Sequence, residues 1–278
     1  MASPKVWLIT GSSTGFGLYM ARVVLSHGNK VIATLRKPSA LDSLASEYPS
    51  SQLLILPLDV SKPDQIEAAF AKGKEVFDRI DVVYNNAGVL AIGEVEGTPE
   101  QAARDMFEVN FWGASNVNRT AMKYFPLNQP IGGLLLLVSS EAALLAVPGL
   151  GYYSASKYAI EGVTEALKAE IDPNWNIKIT IIEPGPFATN VQGNAVMLPV
   201  HPAYISESLA TVALRANPGL IVFDGDAEKA SEAFWKISNL EDPPERFLIH
   251  RKTAQSARQK VQKLTQALDE ALVEGIYI

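Results

Sequence analysis

The chain has 278 residues, 47% of them hydrophobic and 19% charged, with a formal net charge of −6 and no cysteine. That composition fills a sizeable core and is foreign to disordered chains. The acidic balance gives no electrostatic footprint for nucleic acid. The missing thiols exclude disulfides, cysteine nucleophiles and cysteine–zinc sites.

Met1 to Lys5 run straight into an apolar stretch without the parts of a secretory signal. The apolar stretches at 133–138 and 142–147 are too short to span a bilayer. The expectation is a soluble, cytoplasmic protein with no membrane partner.

In chain order, Lys5–Thr10 reads as a strand and Gly15–His27 as a helix. Lys30–Leu35 is the next strand, Ala40–Tyr48 a short helix and Gln52–Leu58 a third strand. Ser61 caps a helix carrying Pro63 and Asp64 in its first turn. Asp81–Tyr84 is a short strand. Thr98, Pro99 and Glu100 open a long helix to Tyr124. Gly133–Ser139 is a strand, Tyr152–Ile171 a helix and Asn176–Ile182 another strand. Strands and helices alternating at this spacing imply a parallel sheet with helical crossovers.

The rhythm breaks after Pro184. Residues 186–220 lack periodicity, as lids and binding loops often do. A helix over Asp226–Ser238, a strand over Arg246–His250 and a polar helix over Thr253–Val273 follow. We read one domain over 1–278: a core at 5–185, a substrate lid at 186–225 and a C-terminal part at 226–278.

Three groups of residues carry chemistry. Gly11, Ser13, Thr14, Gly15, Phe16 and Gly17 lie between the first strand and the first helix. Glycines there let a backbone approach a pyrophosphate, and the helix N-terminus favours its charge. Alone, the string suits a structural turn equally well. Arg36, with Lys37 as a second candidate, closes the second strand where an NAD site places a carboxylate. A guanidinium there instead suits a 2′-phosphate and points to NADP(H) over NAD(H).

Tyr153 and Lys157 stand four residues apart, on one face of a helix. An ammonium near a phenol favours its ionised form, making it a better proton donor than its ordinary pKa of about 10 allows. Ser139 and Ser140 end the preceding strand, and either hydroxyl could hold a substrate oxygen. Asn110 is a polar residue in the middle of a helix, where asparagine needs a local bond or a water to justify it.

With Asp59, Val60, Asn86, Ala87, Gly88, Pro184 and Gly185, these residues resemble the short-chain dehydrogenase/reductase family over roughly residues 5–190. The resemblance implies a doubly wound Rossmann-type α/β sheet of about seven parallel strands, with helices on both faces. It implies that Tyr153 is the acid/base, that Lys157 lowers its pKa and binds the nicotinamide ribose, that Ser140 orients substrate and that Asn110 holds a relay water. It also implies that Asp59 and Val60 border the adenine and Asn86 to Gly88 the adjacent ribose. Pro184, Gly185, Phe187 and Thr189 should border the nicotinamide.

The activity implied is hydride transfer to or from a carbonyl or secondary alcohol, in a homodimer or homotetramer. Phe187, Val191, Met197 and Leu198 are candidates for an apolar substrate pocket. Two other readings keep the scaffold: a dinucleotide sensor without turnover, and an epimerase or dehydratase. His27, His201 and His250 lack ligand spacing, so no metal is expected. Trp112, Trp175 and Trp235 are read as packing residues.

Overall fold

The structure is a computed structural model that describes residues 3–217 and 222–273. Of residues 191–192 and 271–273 only the backbone is considered.

The chain runs through β1 (Val6–Thr10), α1 (Gly15–Ser26), β2 (Lys30–Leu35), α2 (Asp42–Glu47), β3 (Leu53–Pro57), α3 (Pro63–Phe77), β4 (Val82–Asn85) and β5 (Ala91–Ile92). It continues with α4 (Glu100–Phe107), α5 (Ala114–Tyr124), β6 (Gly133–Val138), α6 (Gly151–Glu170) and β7 (Ile177–Pro184). The last elements are α7 (Val191–Asn194), β8 (Val196–Met197), α8 (Ala210–Ala216), α9 (Ala227–Ile237), β9 (Arg246–Ile249) and α10 (Arg251–Val273).

Seven strands form one sheet in the order β3-β2-β1-β4-β6-β7-β9, every pair parallel. Strand side chains alternate between faces, and both faces of β1 are covered. Trp7 and Ile9 enter one core with Met20 of α1, Leu44 of α2 and Phe234 of α9. Val6 and Leu8 enter the other with Ile66 and Phe70 of α3 and Val117 and Ala121 of α5. Burial on both faces is why these strands read as unbroken apolar runs. The strand order reverses between β1 and β4, where open α/β sheets open a crevice at the carboxyl ends of their strands.

Four expectations change. The helix expected from Thr98 to Tyr124 is interrupted by a π-turn at Glu108–Gly113. Ser61 does not cap α3: Lys62 occupies that position, and the Ser61 hydroxyl donates to Asp59 Oδ1 at 2.8 Å. The irregular stretch after Pro184 contains α7, β8 and α8, and β8 pairs in parallel with β5. Trp112 and Trp175 do not pack inside; they are exposed, while Trp235 stacks on His27 with ring centroids 3.6 Å apart. Residues 218–221 of the expected lid lie outside the described residues.

Candidate active site

A cleft of about 540 Å³ opens at the carboxyl ends of β1, β2, β4, β6 and β7. The turn after β1 forms one wall. Gly11 has φ +68°, a left-handed conformation that favours glycine. A Cβ at Gly17 would sit 2.2 Å from the Gly11 carbonyl oxygen, so the first turn of α1 packs onto the loop only as glycine. Ser12 and Thr34 hydroxyls both donate to the Ile9 carbonyl, at 3.0 and 2.9 Å, and pin the turn from below.

Thr10 opens the glycine turn, and its task there was not read from the sequence. Its Oγ1 accepts from the backbone N–H groups of Asn86 and Ala87, each at 2.9 Å. The Asn86 side chain returns a hydrogen bond to the Thr10 carbonyl at 2.9 Å. These bonds clamp the loop after β4 onto the loop after β1, across the point where the strand order reverses. Only a buried, satisfied threonine at a strand end could have signalled this, and such residues are common.

Gly11, Ser13, Thr14, Gly15 and Phe16 line the cleft, as do Arg36, Asp59, Val60, Asn86, Ala87 and Gly88. Gly17 stands behind the wall instead. Burial works to raise the Asp59 carboxyl, but hydrogen bonds from Ser61 and the charges of Arg36 and Lys62 leave it below its usual range. Leu35 lines the cleft beside Arg36, so the end of β2 presents no carboxylate.

At the far end, Ser140, Tyr153 and Lys157 line the same cleft. The Ser140 side chain is near enough to the Tyr153 hydroxyl to act on its pKa, and Ser140 Oγ accepts from the Ala142 N–H at 3.1 Å. The neighbouring Ser139 hydroxyl turns away and donates to Glu161. This separates the two adjacent serines. Tyr153, not Tyr152, lines the cleft.

Lys157 Nζ lies 5.8 Å from the centre of the Tyr153 ring and donates to the Val138 carbonyl at 3.0 Å. Burial pushes the Tyr153 phenol up, with the Ser140 side chain opposing. The causes acting on the phenol are thus burial and Ser140, while the Lys157 ammonium is bonded to the end of β6. Burial lowers Lys157 itself to about 8, against the pull of Glu161.

Asn110 makes the local bonds that a polar residue within a helix needs. It is buried in the π-turn, its Oδ1 accepts from the Val89 N–H at 2.8 Å, and its amide donates to the Val89 carbonyl at 2.9 Å and to Ser156 at 3.2 Å. Its side chain props the loop after β4 and does not line the cleft. It is still close to the cationic end. A Cβ at Gly88 would lie 3.3 Å from Asn110 Oδ1 and 3.7 Å from Lys157 Nζ.

Pro184, Gly185, Phe187 and Thr189 close the cleft after β7. Phe187 packs edge-on against Phe16 with ring centroids 5.3 Å apart. Of the apolar pocket candidates whose side chains are described, Phe187 alone lines the cleft. Met197 is half exposed and Leu198 is buried elsewhere, where a Cβ at Gly93 would touch it at 3.0 Å. The Val191 side chain lies outside the described residues. Val89, Leu90, Asn194 and Phe223 supply lining that sequence reasoning did not find.

The two ends of the cleft suit the two ends of a dinucleotide. The glycine turn offers free N–H groups and open space to a pyrophosphate, and the tyrosine end offers two hydroxyls and an ammonium. The model of the short chain dehydrogenase family matches residues 5–197. The chain belongs to this short-chain dehydrogenase/reductase family. An uncharacterised oxidoreductase of Schizosaccharomyces pombe is 34% identical over 94% of this chain and 87% of its own length.

A solved short-chain dehydrogenase from Streptomyces avermitilis superposes with a TM-score of 0.87 at 31% identity, covering 99% of this chain and 100% of its own. A short-chain dehydrogenase/reductase from Burkholderia phymatum, solved with NAD, shares the fold at 23% identity and a TM-score of 0.79, over 95% of each chain. As a short-chain dehydrogenase/reductase, the protein is an oxidoreductase. No helix of the described residues is long and apolar enough to cross a membrane.

Proposed function

We propose that the protein is an NADP(H)-dependent carbonyl reductase or alcohol dehydrogenase in which Tyr153 carries the proton. The observation that carries this reading is the single cleft shared by the glycine turn, Arg36, Ser140, Tyr153 and Lys157. A nicotinamide dinucleotide bound there supplies the hydride. Tyr153, kept neutral by burial, donates its proton to the substrate oxygen and is reprotonated from solvent. Ser140 holds that oxygen beside the phenol, and the Lys157 ammonium steadies the phenolate left behind.

Arg36 and the absence of a carboxylate at the end of β2 favour the 2′-phosphate of NADP(H). Reduction is the direction this cofactor supports, because cells hold that pool reduced. Leu90, Phe187 and Phe223 give the substrate end an apolar lining, which favours bulky, apolar ketones.

Exposed Trp112, Tyr158 and Val163 on the π-turn and α6 support a homo-oligomer through those elements, which light scattering tests.

Tyr153→Phe removes the phenolic hydroxyl and with it the proton donor, leaving the ring in place. Turnover of the best substrate in a panel of ketones and secondary alcohols should fall by about 10²–10⁴, with NADPH affinity in a fluorescence titration unchanged. Turnover within a few fold of the parent enzyme would overturn the assignment.

A further inference from the structure

The face of α6 that carries Tyr153 and Lys157 carries a third group one turn further on. Glu161 is buried, with its side chain 6% exposed. One of its oxygens accepts from the Ser139 hydroxyl. The other accepts from Arg246 Nη1 at 2.9 Å. Arg246 opens β9 and also binds Glu183 of β7 and Glu165 of α6. The Glu183 side chain is fully buried, and its Oε2 has no hydrogen-bond partner among the described residues.

The cluster thus joins the ends of β6, α6, β7 and β9 directly behind the proton-carrying groups. Two buried carboxyls share one guanidinium, and both cannot remain charged cheaply. Burial and the Glu161 charge push Glu183 up to about 7. On its other side the Glu161 charge acts on Lys157, raising it against the effect of burial.

Lys157 is itself a buried ammonium, 6% exposed. Around it stand the Val138 carbonyl at the end of β6, Gly88 after β4, and Tyr153 and Glu161 of its own helix. Of these Tyr153 and Glu161 are the ionisable groups, and the Glu161 charge is the one that raises Lys157. The groups facing Glu161 are Lys157 and Glu165 on α6, Ser139 on β6, Glu183 on β7 and Arg246 on β9.

We propose that Glu161 is a positioning residue whose carboxylate, held by Ser139 and Arg246, keeps the Lys157 ammonium charged in its buried seat beside Tyr153. It reaches neither substrate nor cofactor and acts through Lys157. Ser139 serves as the tether, which gives the second of the two adjacent serines its own task. The inference rests on the reading of Lys157 given above, and its test reads the lysine directly in the ligand-free chain.

Lysine labelled with ¹³C at the ε-carbon reports the titration of Lys157, its resonance being the one missing from Lys157→Arg. Glu161→Gln keeps the shape and the hydrogen-bonding capacity but removes the charge. The Lys157 midpoint should move to lower pH by about 1, a roughly tenfold loss of proton affinity. Glu165→Gln, which removes the half-exposed partner of the same arginine, should leave the midpoint in place.

An unchanged Lys157 midpoint in natively folded Glu161→Gln overturns the proposal, as does an equal shift in Glu165→Gln. If Glu161→Gln does not fold, Ser139→Ala keeps the charge but frees the carboxylate. It should lower the midpoint by a smaller amount, and no movement again overturns the proposal. In the loaded enzyme the alkaline limb of kcat/KM should move with the midpoint. A lysine midpoint that falls while this limb stays would support the Glu161 assignment and defeat instead the role given to Lys157 in turnover.

Discussion

Arg36 is the one side chain on which the proposed preference for NADP(H) turns. It is exposed at the end of β2 and its charge acts on Asp59 across the cleft. A guanidinium–phosphate bond is charge-assisted, and such bonds contribute about 1.5–3 kcal/mol each. Arg36→Asp replaces attraction with repulsion. The ratio of kcat/KM for NADPH over NADH should fall by about 10–100-fold in steady-state kinetics; an unmoved ratio would assign the phosphate to Lys37 or to no residue. The adjacent serines show a different aspect of the same scale. Extended backbone at Ser140, φ −167° and ψ 154°, sends successive side chains to opposite sides. Ser139 therefore meets Glu161 while Ser140 meets Tyr153. Two identical letters acquire two tasks from one alternation.

Among the elements, the segment between β7 and α9 is the one the residue pattern describes least well. It is anchored at two places. The two-residue strands β5 and β8 pair Ala91 with Val196 and Ile92 with Met197. Arg215 of α8 then reaches back to Glu94 at 3.0 Å and to the Leu198 carbonyl at 2.7 Å. The Glu94 side chain is 1% exposed and that of Arg215 14%. Burial works to raise the Glu94 carboxyl, but the bonds and charge of Arg215 overcome it and leave it below its usual range.

Arg215→Met leaves the Glu94 carboxylate buried without its cation, a loss of about 3–5 kcal/mol in such pairs. Faster amide exchange in α8 should follow, with a raised substrate KM and little change in kcat. Unaltered exchange would mean that α8 is held by packing alone. A strand of two residues has no period to detect. The partners here are also separated by more than a hundred residues, so the pairing was invisible in the string. For the same reason Met197 and Leu198, sound candidates for a pocket by position, turn out to serve this small sheet.

For the molecule as a whole, the cluster around Arg246 couples the right-hand end of the sheet to pH. Glu183 holds its proton up to about 7, against an ordinary value of 4.5. The folded chain therefore binds that proton more tightly than the unfolded chain. The resulting stabilisation is complete below about 4.5 and is lost as pH rises to about 7. Carboxylates held low, such as Asp59 and Glu94, contribute in the opposite direction at lower pH. Comparison with Glu183→Gln isolates the one group. In urea denaturation the variant should gain stability relative to the parent as pH rises from 4.5 to 7, and a constant difference would show that Glu183 has the same pKa in the folded and the unfolded chain. No local spacing points to this cluster, because Glu161, Glu165, Glu183 and Arg246 meet only when β9 returns beside β7.

The residue order alone determined the alternation of strands and helices, the parallel sheet, the glycine turn and the pairing of Tyr153 with Lys157. Each of these depends on neighbours within a few positions, through strand period, helical turn or backbone freedom. Tertiary structure decided which serine faces the tyrosine, that Asn110 supports Val89, that Lys157 binds the end of β6, and that a buried acid cluster stands behind it. Those outcomes depend on segments brought together by crossovers, where burial changes what a charge costs, and no local spacing encodes that.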